Sequence, residues 1–244
     1  MTETDLNGLP PRRTYETLTV ICPVYNERRT VAEVIRRMRA VELPMVLQII
    51  VVDDGSSDGS DKVLGALEDS TVRVISHEVN QGKGAAIRTG LAEARGDLVL
   101  IQDADLEYDP NDWPRLLDPI LRGKARVVYG SRFTGERKNM LPLHWMGNRL
   151  LSLVTNVLYS STLSDMETCY KLFDADVLEG LTIVSNKFDF EPEITAKVLR
   201  RGHRIYEVPI SYAGREPDEG KKITWRDGFS ALKALVKFRF TREY

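Results

Sequence analysis

Leu98-Val99-Leu100-Ile101-Gln102-Asp103-Ala104-Asp105-Leu106-Glu107 is an apolar run that stops abruptly in carboxylates. Its aliphatic start predicts a short buried strand. Alternate-residue acids at the tip of a strand share one side of the chain, here Asp103, Asp105 and Glu107. Crowded acids repel one another unless a cation lies among them. Hard divalent ions such as Mg2+ or Mn2+ choose such oxygen ligands and often share them with a substrate's phosphates. The first expectation is a metal-dependent enzyme acting on a phosphate-bearing substrate.

Outward from this stretch, apolar runs alternate with amphipathic ones. Strands are predicted over residues 18–23, 46–52, 72–76 and 98–102, with helices over 30–40, 60–68 and 84–94. Thr30 reads as the N-cap of the first helix and Gly96 as the stop of the third. The near-continuous apolar run 46–52 has the pattern of a parallel strand covered on both faces. Such alternation predicts an α/β fold with right-handed crossovers and a mostly parallel sheet. Ligands bind beyond the carboxyl ends of such strands. The polar clusters Pro23-Val24-Tyr25-Asn26-Glu27, Asp53-Asp54-Gly55-Ser56 and Asp103-Ala104-Asp105 all fall there. The second half is less regular. It predicts a strand over 126–129 ending in Gly130-Ser131-Arg132, an apolar helix over 143–158 and a helix over 193–201 closed by Gly202. A strand over 205–208, a charged loop over 215–225 and a final helix over 229–240 follow.

The composition narrows the function classes. The 244 residues carry 34 Lys and Arg against 36 Asp and Glu, a formal net charge of -2, which argues against wholesale nucleic-acid binding. Cys22 and Cys169 make no disulfide framework; a buried inert Cys22 and a reducing cytoplasm are expected. No apolar run approaches the roughly 20 residues of a membrane span. Residues 1–13 lack the apolar region of a signal peptide and read as a frayed leader. His77, His144 and His203 are isolated and lack metal-ligand spacing.

Several motifs carry competing readings. Asp53 to Asp58 suits a tight turn, or a strand-end carboxylate that binds a base or ribose. A calcium loop starting at Asp103 fails, because Tyr108 stands where it needs Gly and Pro114 where it needs Glu. Asn80-Gln81-Gly82-Lys83-Gly84 suits either an anion at a helix start or a plain Gly-rich turn, and no Ser or Thr follows Lys83 to make a Walker loop. The 143–158 helix is either a core helix or a surface helix that touches lipid.

Together these pieces resemble the family 2 glycosyltransferases of the GT-A fold, and within them the polyprenyl- or dolichyl-phosphate mannose and glucose synthases. The resemblance runs from about Thr19 to Arg239, and rests on the clusters above, on Gly130-Ser131-Arg132, and on Arg215 with Gly220-Lys221-Lys222. It implies one Rossmann-like catalytic domain over 18–212 after a flexible leader (1–17), then a mobile basic loop and amphipathic helix over 213–244. It implies that Pro23, Tyr25, Glu27 and Asp53 hold the nucleoside, with Lys83 and Ala104 also on the donor. Asp103, Asp105 and Glu107 would hold Mg2+ or Mn2+, although many relatives place Gln at the last position. Arg132 would pair with a phosphate, and Arg215 and Lys221 would close over the donor. Where relatives often show Ser-Gly before the aromatic, this chain has Asp165-Met166-Glu167-Thr168-Cys169-Tyr170.

The implied reaction is inverting transfer of a hexose from GDP-mannose or UDP-glucose to a polyprenyl phosphate. Catalytic roles fall to Asp105, Arg132, Asp165 and Asp189. A phosphate acceptor is already an anion and needs no base. A sugar hydroxyl needs one, for which Asp165, Asp189 and Glu191 are candidates. Transfer to a sugar hydroxyl and non-catalytic binding of a nucleotide sugar remain the alternatives; a nucleotidyltransferase fits the 23–27 loop poorly. Lys233, Lys237 and Arg239 beside Leu232, Leu235, Val236 and Phe240 predict peripheral contact with the inner membrane surface.

Overall fold

The computed structural model describes residues 13–67, 69–138, 142–215 and 225–241. The first half alternates strictly: β1 (Thr17–Val24), α1 (Val31–Ala40), β2 (Val46–Asp53), α2 (Ser60–Gly65), β3 (Val72–Ser76), α3 (Lys83–Glu93) and β4 (Leu98–Ile101). The strands form because their aliphatic and β-branched side chains are buried on both faces, as at Val20, Ile21, Cys22, Ile49, Ile50, Val51 and Val52. In α1, Val31, Val34, Ile35 and Met38 make the buried stripe. Glu33 pairs with Arg36 and Arg37 on its outer side.

A 3-10 turn (Pro110–Asp112) then leads into α4 (Trp113–Leu121), β5 (Val127–Ser131), β6 (Arg137–Lys138), α5 (Pro142–Tyr159), β7 (Lys171–Asp174), α6 (Ala175–Leu178), α7 (Phe190–Arg200), β8 (Ile205–Pro209), β9 (Tyr212–Ala213) and α8 (Trp225–Phe240). The main sheet has seven strands in the order β3-β2-β1-β4-β7-β5-β8. Its neighbours are parallel except that β7 runs against both β4 and β5. The carboxyl ends of the other strands therefore share one rim, and β7 starts from that rim. A small parallel pair, β6 with β9, and a bridge between Tyr108 and Tyr212 tie the segment after β4 to the segment after β8.

The expected α/β architecture is thus present, with local corrections. α4, α6, β6, β7 and β9 were not predicted. α7 starts at Phe190, three residues before its expected start, and α8 at Trp225. Thr30 makes no side-chain cap; its hydroxyl donates to the Glu27 carbonyl and carboxylate instead. Gly96 does not stop α3, which ends with extended backbone at Ala94. It is glycine because a Cβ there would stand 2.6 Å from the Thr19 nitrogen. Cys22 is buried as expected, and burial pushes its thiol up.

The 143–158 stretch packs one face against the body of the protein and exposes the other. One face of α5 packs with α8: Leu151, Leu163, Met166, Ala231 and Leu235 form a separate apolar cluster. The Tyr159 hydroxyl donates to the Leu235 carbonyl at 2.6 Å. The other face exposes Met146, Leu150, Leu153 and Val157, and α8 exposes Phe229, Val236 and Phe240. Among the described residues no helix is long and apolar enough to cross a membrane.

Candidate active site

The rim gathers polar side chains from five strand ends. After β1, Asn26 adopts a left-handed backbone (φ 52) that turns the chain sharply. Its amide pairs with the Ser56 hydroxyl at 2.9 Å, and its side-chain oxygen accepts from the Ser57 amide at 2.8 Å. The loops after β1 and β2 are thereby stitched together. Glu27 follows, buried, with its carbonyl starting α1 through the Thr30 and Val31 amides. Asp53 is buried and accepts from the Ser56 amide at 3.2 Å. Pro23 is partly covered at the end of β1, and Tyr25 is exposed.

Asp54 anchors the 80–84 stretch. Its carboxylate accepts from the amides of Gln81 (2.9 Å) and Gly82 (2.7 Å), and lies 2.7 Å from His77 Nδ1, whose Nε2 meets Thr89 Oγ1 at 2.9 Å. Two amides of the stretch, those of Gln81 and Gly82, are thus taken by the protein's own carboxylate. The glycines answer to packing. A Cβ at Gly82 or Gly84 would run into the backbone of 185–187, and Gly82 has φ +101.

This anchored loop aims Lys83 at the rim. Its ammonium lies 2.9 Å from Asp103 and 2.8 Å from Glu191 of α7. Burial works against the Lys83 charge, but Asp103 and Glu191 outweigh it and hold its pKa well above the ordinary lysine value.

Beyond β4 the acids are gathered by a turn, not by strand alternation. β4 ends at Ile101, and Leu106 is left-handed (φ 62), letting the Glu107 amide donate to Asp105 Oδ1 at 3.0 Å. Ala104 is buried between Asp103 and Asp105. Burial first, and then the charges of Asp103 and Glu107, push the Asp105 carboxyl up to about 7 against the pull of Arg215. Glu107 is committed elsewhere: it accepts from the Tyr212 hydroxyl at 2.8 Å and from the Arg215 amide at 2.9 Å. Among the described residues, no three His, Cys, Asp or Glu converge as a ready-made metal cluster. The Arg215 guanidinium sits among the acids instead, 3.2 Å from Glu27 and from Asp105 and 3.6 Å from Glu107.

The second wall comes from β5 and the segment before β7. Arg132 forks onto Asp165, Nε and Nη2 each at 2.7 Å, and its amide adds a third bond at 3.0 Å. Asp165 is fully buried, and Arg132 also lies over the Tyr212 ring. Burial opposes the Arg132 charge, yet Asp165 holds it well above its usual value. Behind them lie Glu167, pushed up to about 8 by burial and then by Glu191, and the buried Lys171. The Lys171 ammonium donates to the carbonyls of Met166 and Thr168. At the start of α7 the Asp189 side chain accepts from the Lys187 amide and its carbonyl from the Glu193 amide, each at 3.2 Å. Lys221 lies outside the described residues.

The structure therefore brings together Glu27, Lys83, Asp103, Asp105, Glu107 and Arg215 on one wall and Arg132 with Asp165 on the other. Glu191, read from sequence as a candidate base, serves as the partner of Lys83. Tyr212 and Asp54 were not anticipated as site residues; Asp54, beside Asp53 at a strand tip, carried the only local signal.

The model of glycosyl transferase family 2 matches residues 19–181, a span that holds the first-wall acids, Lys83, Arg132 and Asp165. The chain belongs to glycosyl transferase family 2. Among curated proteins, this family 2 chain is 31% identical over 224 residues to the low-salt glycan biosynthesis hexosyltransferase Agl6 of Haloferax volcanii, covering 90% of this chain and 53% of that protein. It is 29% identical over 237 residues to the dodecaprenyl-phosphate galacturonate synthase of Rhizobium johnstonii, covering 93% of this chain and 68% of that protein. It is 30% identical over 216 residues to the undecaprenyl-phosphate mannosyltransferase of Micrococcus luteus, covering 84% and 86%. The chain thus spans about half to two thirds of the first of these relatives, 53% and 65% of the two Haloferax proteins Agl6 and AglJ. The fold is shared with glucosyl-3-phosphoglycerate synthase of Mycobacterium tuberculosis, solved with Mn2+, UDP-glucose and phosphoglyceric acid. That match has a TM-score of 0.73 at 22% identity and covers 92% of this chain and 80% of that one.

Proposed function

We propose that the chain transfers a hexose, with inversion, from a nucleoside diphosphate sugar such as GDP-mannose or UDP-glucose to a polyprenyl phosphate, with Mg2+ or Mn2+ at the first wall. The observation that carries the acceptor is the state of Asp165. Both its oxygens are held by Arg132, so the carboxylate nearest the second wall is a poor base for a sugar hydroxyl. A phosphate acceptor needs none. The names of the curated relatives, with dodecaprenyl and undecaprenyl phosphate, support the same class.

The donor set fits a hard cation. Asp103 and Asp105 are oxygen ligands that repel each other in a buried site, and such ions are commonly held by one or two carboxylates together with substrate phosphates. The bound ion would offset the negative charge that grows on the departing diphosphate. Lys83 holds Asp103 in place and adds fixed positive charge in a low-dielectric site. Glu27 and Asp53 face the nucleoside at the ends of β1 and β2. Arg132, oriented by its fork with Asp165, faces the acceptor phosphate.

The exposed apolar faces of α5 and α8 support access to a lipid acceptor. α5 holds no acidic residue and α8 one, Asp227, against the basic Arg149, Lys233, Lys237 and Arg239, so an anionic bilayer suits them. The deciding experiment incubates radiolabelled donors with polyprenyl phosphate, with and without EDTA. Metal-dependent passage of label into the organic phase is expected; binding without turnover would leave a nucleotide-sugar-binding protein. Sedimentation with anionic vesicles that weakens as salt rises is the companion expectation, and no binding at low salt would remove the membrane contact.

A further inference from the structure

Two arginines meet carboxylates at this site, and they do so differently. Arg132 makes a close planar fork with Asp165 at 2.7 Å on both arms, the geometry of a permanent, charge-assisted pair. Arg215 has no such partner. Its guanidinium spreads over Glu27, Asp105 and Glu107 at 3.2, 3.2 and 3.6 Å, and its buried Nε has no hydrogen-bond partner among the described residues. Its Nη1 donates to both oxygens of Glu27 and its Nη2 to Asp105, all at 3.2 Å, longer than the 2.7 Å arms of the Arg132 fork and divided between two carboxylates. Its backbone is fixed separately: the Arg215 amide donates to Glu107 at 2.9 Å, and the Ala213 amide to the Glu107 carbonyl at 2.9 Å. The side chain can therefore leave while the chain that carries it stays anchored.

We propose that Arg215 is a built-in counter-ion, standing among the acids in the free protein and exchanged for a divalent cation when a nucleoside diphosphate arrives. The inference rests on reading Asp103 and Asp105 as the cation ligands. Free metal meets the like charge of Arg215 already seated at Asp105, so it is admitted poorly alone. A nucleoside diphosphate brings oxygens of its own, which give the displaced guanidinium new partners. Metal and nucleotide then bind together or hardly at all, and a donor-free site does not load itself with metal. The same exchange turns Arg215 from a partner of the acids into a partner of the leaving diphosphate.

The test measures Mn2+ uptake by the loss of the free-ion electron paramagnetic resonance signal. The full chain is compared with Arg215→Met and Arg215→Lys, alone and with UDP or GDP, after circular dichroism has verified folding. The wild type is expected to bind Mn2+ at least tenfold more tightly with nucleotide than without. Arg215→Met, which keeps the bulk and loses the charge, is expected to bind Mn2+ alone at least tenfold more tightly than the wild type. Arg215→Lys, still cationic, is expected to stay near the wild type and serves as the folded control if the Met variant fails. Equal Mn2+ affinity of wild type and Arg215→Met without nucleotide overturns the inference, as does a wild type indifferent to nucleotide. Absence of Mn2+ uptake by any form under any condition sinks the cation site itself, a separate outcome.

Discussion

Arg132 and Asp165 lie 33 residues apart in sequence, yet meet through two side-chain bonds of 2.7 Å in a buried setting. Removing one partner of such a pair strands the other's charge, at a cost of about 3–5 kcal/mol. Asp165→Asn is therefore expected to lower the unfolding midpoint in thermal or urea melts by an amount of that order. If Asp165 only orients Arg132, the pH profile of turnover in Asp165→Asn keeps its shape while kcat falls. Loss of the limb that reports an ionising base would restore the hydroxyl-acceptor reading.

Asp103 and Asp105 carry the cation in the proposed mechanism. Asp103→Ala and Asp105→Ala are each expected to lower the transfer of sugar label by about 10²–10³, the size of effect seen when one preorganised electrostatic group is lost. EDTA should abolish wild-type turnover and leave the residual rate of the variants unchanged. Full turnover by both variants, with indifference to EDTA, removes the metal.

Burial and then Glu191 push Glu167 up to about 8, from an ordinary glutamate value near 4.5. The groups around it are Glu191 from α7, Lys171 from β7, and Arg132 and Asp165 from the second wall. Across that window the folded chain binds the proton that the unfolded chain has released. Stability is then fully present below about pH 4.5 for this group and declines as pH rises toward about 8. Glu167→Gln, which mimics the protonated form, is expected to flatten that decline in melts at pH 5, 6, 7 and 8. A slope equal to the wild type's would show that Glu167 ionises as freely folded as unfolded.

Asp54 holds the 80–84 loop by accepting from two of its amides. Asp54→Ala leaves both without an acceptor, an expected loss of about 1–3 kcal/mol for each group that stays buried. Hydrogen exchange at Gln81 and Gly82 should quicken by more than at β1 or β4. Unchanged exchange there would mean that the glycine packing against 185–187 suffices to fix Lys83.

The parallel half of the sheet was legible because its strands are nearly unbroken aliphatic runs, ending in polar clusters that all face one rim. β7 was not. Lys171-Leu172-Phe173-Asp174 is short and charged at both ends, and it is stable in the sheet because Arg13, Tyr15 and Arg126 bind Asp174 while Lys171 donates to carbonyls. α4 was hidden by Pro114 and Pro119, the first tolerated because it falls in the opening turn of the helix. In the site, the acids, Lys83 and Arg132 showed themselves as local motifs. The pairing of Arg215 with Glu27 spans 188 residues, and no local pattern reports which carboxylate a distant arginine meets. The role of Asp54 at the 80–84 loop was hidden for a related reason: amides at a helix start look alike whether a ligand or a neighbouring carboxylate satisfies them.

The reversed course of β7 has a consequence for how such a chain diversifies. Because β7 sets out from the rim where its neighbours finish, the segment that feeds it, with Asp165 and Glu167, is a connector hung between β4 and β5. Exchanges in that connector reshape one wall of the cleft and leave the pairing of β3, β2, β1 and β4 untouched. Under the proposed reaction, acceptor preference is thus free to drift while the donor cradle stays constant, a modularity built into the order of the strands.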